Sequence, residues 1–198
     1  MNYYNSASFW CLAAVIAPAI VFGSMITGRE TIAPGISVVS AQISGQHSAQ
    51  VDFATEQLSR AFANTTAEVG QGRGKQDSAH LTVFVGPGNA SGMLPSHSSL
   101  IDTLGEEGCL CHMRVTNTSE GSLAATVAVT GTISPSARGT INGAFELLRA
   151  MGFRFWSPGA VDIPRNLPQT NAGAVAYELL QRLLRTGLGW LSCSALLL

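Results

Sequence analysis

Glycoside hydrolysis needs two carboxyl groups on opposite sides of the scissile bond, and among the 12 acidic residues Glu106 and Glu107 are the only adjacent pair. Neighbouring carboxylates on a polar turn read as solvated charge, not as an acid and a base facing one substrate. His47, His80, His97 and His112 are scattered, with no pair at helical spacing and no His-Glu-x-x-His order, so no zinc-protease site is encoded. Cys109 and Cys111 stand beside His112, but zinc takes three or four ligands and no second cluster exists. Two apart on one strand, these cysteines point to the same face about 7 Å apart, beyond disulfide reach, and read as buried thiols. Cys11 and Cys193 lie near the two ends, and the cysteines form no recognisable disulfide framework. A phosphate loop over 70–75 (GQGRGK) would need Gly where Val69 stands and Ser or Thr where Gln76 stands. A dinucleotide turn over 86–92 (GPGNASG) is spoiled by Pro87 and by Ser91 in place of the third glycine. No Gly-x-Ser-x-Gly elbow marks out a serine nucleophile. The residues therefore call for no metal, no nucleotide and no other cofactor.

The elements that would carry these residues follow from periodicity. Residues 32–39 are β-branched and bounded by Pro34, Gly35 and Gly45, which predicts a first strand. Over 47–64 a helix is predicted, because Val51, Ala54, Leu58, Ala61 and Phe62 make one apolar face while Asp52, Glu56 and Arg60 take the other. Residues 65–69 suit a short strand, 70–79 a polar loop, and 80–85 (HLTVFV) a strand stopped by Gly86-Pro87-Gly88. One helical turn is predicted over 100–104, then a hairpin of 109–115 and 123–129 around the turn residues 117–122 (NTSEGS). Ile141, Ala144, Phe145, Leu148 and Met151 give the apolar face of a second helix over 139–151, and Gly152 is placed to end it in a left-handed cap. Extended segments at 153–156 and 161–163 follow. This order describes an α+β fold, an α/β sandwich with two main helices packed on one face of its sheet.

The ends differ in character from the middle. Residues 9–22 (FWCLAAVIAPAIVF) are almost wholly apolar, too short to span a bilayer, and followed by Val21 and Gly23 at the −3 and −1 positions of a signal-peptidase cut. A secretory leader is predicted over 1–28, with an uncleaved anchor or a buried N-terminal strand as the alternatives. Sequons at Asn64, Asn89 and Asn117 are N-glycosylation candidates and agree with secretion. Residues 175–185 (VAYELLQRLLR) have the pattern of an amphipathic helix, and 188–198 (LGWLSCSALLL) carry no charge, so 169–198 reads as an atypical apolar tail, with a helix docked on the domain as the alternative. A formal net charge of −1 and a single lysine, Lys75, leave no electrostatic footprint for nucleic acid. The 198 residues cannot hold an α/β-barrel, which takes about 250 residues.

Residues 137–164 read ARGTINGAFELLRAMGFRFWSPGAVDIP. This stretch resembles the signature of the N-terminal accessory domain that precedes the catalytic barrel in alpha-glucuronidases and, more distantly, in beta-hexosaminidases. In that family Arg-Gly-Thr opens a helix, a glycine ends it, and an aromatic-rich strand runs into Pro-Gly and then Ile-Pro. The matching residues here are Arg138, Gly139, Thr140, Gly143, Phe145, Leu147, Leu148, Gly152, Arg154, Phe155, Trp156, Pro158, Ile163 and Pro164. A looser similarity extends over 32–167.

The resemblance implies a mixed sheet of the beta-hexosaminidase domain-2-like kind and an accessory domain over 30–168. In the family the catalytic acids belong to the following barrel. The expected function is that of a secreted, non-catalytic module of a polysaccharide-degrading glycoside hydrolase, with a carbohydrate or a catalytic glycosidase domain as partner. A free-standing carbohydrate-binding module and a small hydrolase are the competing expectations. Arg154 and Trp156 are the candidate contact residues, since an arginine beside an indole near a Pro-Gly turn suits a sugar or a partner domain, with an indole packed into the core as the competing reading.

Overall fold

Short β-branched and alanine-rich runs assemble into one sheet in the computed structural model, which describes residues 24–33, 35–43, 48–66, 79–87, 101, 103–117, 123–132, 134, 137–157, 160–168, 172–186 and 190–193. The strands are β1 (Ser24–Ala33), β2 (Ile36–Ile43), β3 (Ala79–Val85), β4 (Cys109–Asn117), β5 (Leu123–Gly131), β6 (Arg154–Ser157), β7 (Ala160–Asp162) and β8 (Trp190–Cys193). The helices are α1 (Ala49–Thr66), α2 (Gly139–Ala150) and α3 (Ala172–Arg185). Six strands pair in the order β1-β2-β3-β5-β4-β8, and β6 and β7 form a separate two-stranded hairpin. The sheet is mixed, since β2, β3 and β5 run parallel while β1, β4 and β8 are antiparallel to their neighbours. A parallel pair needs a crossover, and α1 supplies it between β2 and β3.

Side-chain alternation decides which face is covered. Ile36 and Val38 of β2, Leu81, Val83 and Val85 of β3, and Ala125, Val127 and Val129 of β5 share one core with all three helices. From the helices come Leu58 and Phe62, then Leu147 and Leu148, then Leu179 and Leu183. Each such leucine or phenylalanine contributes about 1.5–3 kcal/mol by leaving water. On the opposite face Ile101, Leu110 and Ala128, with Leu104, make a small satellite cluster. No helix among the described residues is long and apolar enough to cross a membrane.

The α+β class and the mixed sheet agree with expectation, and the helix count is corrected from two to three. The third helix comes from the range read as a tail, 169–198: Val175, Ala176, Leu179, Leu180 and Leu183 of α3 are buried in the common core. An amphipathic pattern says that one face must be covered, and here the covering surface is this chain's own sheet. The strand predicted over 32–39 is interrupted, because the chain turns at Gly35, with φ +88°, and splits the stretch between β1 and β2. Thr65 and Thr66, predicted as strand, continue α1, and each hydroxyl donates to a carbonyl one turn back, Ala61 and Phe62 respectively. The strand β1 starts at Ser24, inside the range expected as leader, 1–28; the leader's apolar core, 9–22, lies outside the described residues.

Candidate functional site

Residues 137–164, on which the resemblance rests, fold as α2 and the hairpin that follows it. At its start, α2 sits against the ends of β4 and β5 so closely that backbone meets backbone. A Cβ on Gly139 would overlap the Gly108 carbonyl oxygen, and a Cβ on Gly131 would overlap the α2 backbone at Gly139 and Thr140. No side chain fits in this junction, which is why both positions are glycine. Arg138, the N-cap residue, makes no side-chain capping bond. Instead the backbone N–H groups of Arg138 and Gly139 donate to the Glu106 carbonyl oxygen at 2.7 and 3.1 Å. Asn142 Nδ2 donates to the Glu107 carboxylate at 2.7 Å and to the Glu107 carbonyl at 3.1 Å. The Thr132 hydroxyl donates to the Leu104 carbonyl on the same turn. Glu107 places a negative charge near the positive end of the helix dipole. The acidic pair is thus tied to a helix start.

At its other end α2 closes in a Schellman arrangement. Phe153 N–H donates to the Leu148 carbonyl at 3.0 Å and Gly152 N–H to the Arg149 carbonyl at 2.9 Å, with Gly152 at φ +96°. The predicted cap is therefore present. Arg182 of α3 lies beneath it: its Nη2 donates to the Arg165 carbonyl at 2.7 Å and its Nε to Glu178 Oε1 at 3.0 Å. A Cβ on Gly152 would stand 2.9 Å from Arg182 Nη1. Arg182 thereby fastens the strand-exit segment to α3, a role that its place in an amphipathic pattern does not announce.

From the cap the chain enters the hairpin. Phe153 packs edge-on to Phe62 of α1 with centroids 6.3 Å apart, and Phe155 edge-on to Phe145 of α2 at 5.0 Å. These rings anchor the inner side. Arg154 is opposite Asp162 and Phe155 is opposite Val161, while Arg154 and Asp162 are both exposed. Val161 and Ile163 keep 36% and 42% of their surface in solvent. The hairpin thus presents a guanidinium and a carboxylate on one side, while Val161, paired with Phe155, and Ile163 fall on the other side and remain partly open to solvent. Trp156 lies on β6 by its backbone, and its side chain is outside the described residues.

The remaining candidates do not converge on this surface. Asn64 is exposed near the end of α1, Asn117 ends β4, and Asn89 lies outside the described residues. Cys109 and Cys111 are buried on β4, as read from their spacing, and Cys111 Sγ donates to the Gly143 carbonyl at 3.5 Å. His112, next to Cys111 on β4, falls on the other face of the sheet by alternation, and His80 on β3 aligns through Ala124 with Thr116 on that same other face, so neither joins the cysteines. Among the described residues no group of three or more His, Cys, Asp and Glu side chains is placed to hold a metal. The glycine-rich stretch 70–75 lies outside the described residues. Comparison with protein-family models, curated proteins and solved structures returns no match to this chain.

Proposed function

We propose that this chain is a secreted, non-catalytic accessory module of the kind that precedes the barrel in alpha-glucuronidases and beta-hexosaminidases, with a beta-hexosaminidase domain-2-like sandwich. The observation that supports this reading is the way residues 138–164 act as one unit. Motif glycines Gly139 and Gly152 stand where the backbone leaves no room for a side chain or turns left-handed. Motif aromatics Phe145 and Phe155 pack on each other, and motif Arg154 is left exposed on the hairpin. The module's contact with its catalytic partner domain is assigned to that hairpin. If the leader is cleaved as its small residues suggest, the secreted protein begins at Ser24, which N-terminal sequencing reads directly.

A second reading, a free-standing carbohydrate-binding protein, is favoured by the exposed Arg154 facing Asp162 across two strands. A guanidinium and a carboxylate at that spacing match a uronate and the hydroxyl groups of a neighbouring sugar. Titration of the purified full chain with glucuronoxylan and chitin oligosaccharides separates the two. A scaffold module shows no saturable binding. Saturable binding that Arg154→Ala or Trp156→Ala abolishes, with the fold intact by circular dichroism, moves the assignment to the second reading.

A further inference from the structure

The pairing of the last strand brings together two cysteines that are far apart in sequence. In the β4–β8 ladder Cys109 is the direct partner of Cys193, followed by Leu110 with Ser192, Cys111 with Leu191 and His112 with Trp190. Residues directly opposed in an antiparallel pair have Cα atoms about 4.5–5.5 Å apart. That range falls inside the roughly 4.4–6.8 Å that a disulfide requires. The opposite number of Cys111 is a leucine, and Cys109 and Cys111, two apart on one strand, are too far from each other to bridge. Of the cysteines on described strands, Cys109 and Cys193 alone occupy facing positions.

We propose that Cys109 and Cys193 form a cross-strand disulfide that fastens β8 to β4 when the chain matures in an oxidising compartment. The strand β8 is short and terminal in the sheet order, with β4 as its neighbour there. Such a strand opens easily unless something holds it. The bond closes a loop that contains β5, α2, the β6–β7 hairpin and α3, so it restrains the whole helix–hairpin unit in the unfolded state as well. Cys109 and Cys111 are both buried, which places the reaction before β8 docks or during its opening.

The chemistry is two successive thiol–disulfide exchanges with a disulfide-bearing oxidant, either a thiol oxidoreductase or a low-molecular-weight disulfide. The thiolate of one cysteine attacks the oxidant's disulfide, forms a mixed disulfide and releases one oxidant sulfur as thiolate. The second cysteine, deprotonated, attacks the protein sulfur of that mixed disulfide and expels the other oxidant sulfur. One Sγ–Sγ bond forms, the oxidant's S–S bond breaks, and two electrons and two protons pass from the cysteines to the oxidant.

The test uses the full chain refolded in a mixture of reduced and oxidised glutathione, alkylated in denaturant without reduction, digested and mapped by mass spectrometry. The expected result is a peptide pair joining the Cys109 and Cys193 regions that disappears on reduction, with Cys111 alkylated. Fragmentation assigns the linked sulfur, and Cys111→Ser keeps the cross-link. Cys193→Ala frees Cys109 for alkylation and lowers the urea midpoint to that of the reduced wild type. Alkylation of both Cys109 and Cys193 without reduction overturns the proposal. So does a link made through Cys111 or between two chains, or a Cys193→Ala midpoint equal to that of the oxidised wild type.

Discussion

The start of α2 and the hairpin beyond its end are held in opposite ways. At the start, backbone lies on backbone, with Gly139 against Gly108 and Gly131 and the Glu106 carbonyl accepting two N–H bonds. In the hairpin, one side is anchored, through Phe155 on Phe145, while Arg154 and Asp162 lie on the other side and Val161 and Ile163 stay exposed at the edge of the anchored one. One stretch of sequence therefore contains residues whose value lies in having no side chain and residues whose value lies in presenting one. The first kind fixes where the helix sits on the sheet. The second kind adds little to stability and is available for recognition.

Substitutions rank along this contrast. Gly139→Val should have the largest effect, because the new atoms meet a carbonyl that cannot move without displacing β4. Overpacking ordinarily costs about 1–3 kcal/mol and occasionally more. Here the clash is with backbone that no rotamer avoids, so the loss should exceed that of Leu179→Ala, and a soluble fold with an unchanged urea midpoint would break the contrast. Leu179→Ala should destabilise by about 2–5 kcal/mol, the range for emptying a buried leucine site. An effect near zero would show that α3 is not part of the core. Gly152→Ala should cost about 1 kcal/mol from its left-handed φ, with a larger loss if Arg182 is pushed off the Arg165 carbonyl. Asn142→Ala removes two bonds to a turn that is open to solvent and should cost about 0.5–1.5 kcal/mol. Arg154→Ala should stay within about 0.5 kcal/mol of wild type, and a large loss there would make the hairpin scaffold and not surface.

The strand at β3 and the helix at α2 could be read from sequence because their patterns are local: β-branched alternation ended by Gly86, and an apolar helical face ended by Gly152. The split between β1 and β2 was harder to see, since Pro34 and Gly35 fit the border of one strand as well as the turn between two. Residues 172–185 announced an amphipathic helix, but a pattern names the buried face and not the surface that buries it. Arg154 was legible as a candidate through its neighbours in the motif. Arg182 was not, because its role depends on α2 and α3 meeting beneath Gly152. The facing of Cys109 and Cys193 likewise exists only once β8 has joined the sheet.

The proposal made for this chain is that of a module without hydrolytic activity of its own. Its most direct test is incubation of the purified full chain with aryl glucuronides and aryl N-acetylhexosaminides, alongside a barrel-containing hydrolase of the same substrate class. The expected result is no aglycone release above the buffer rate while the control turns over. Release that scales with the amount of this chain, survives repurification and disappears on denaturation would contradict it.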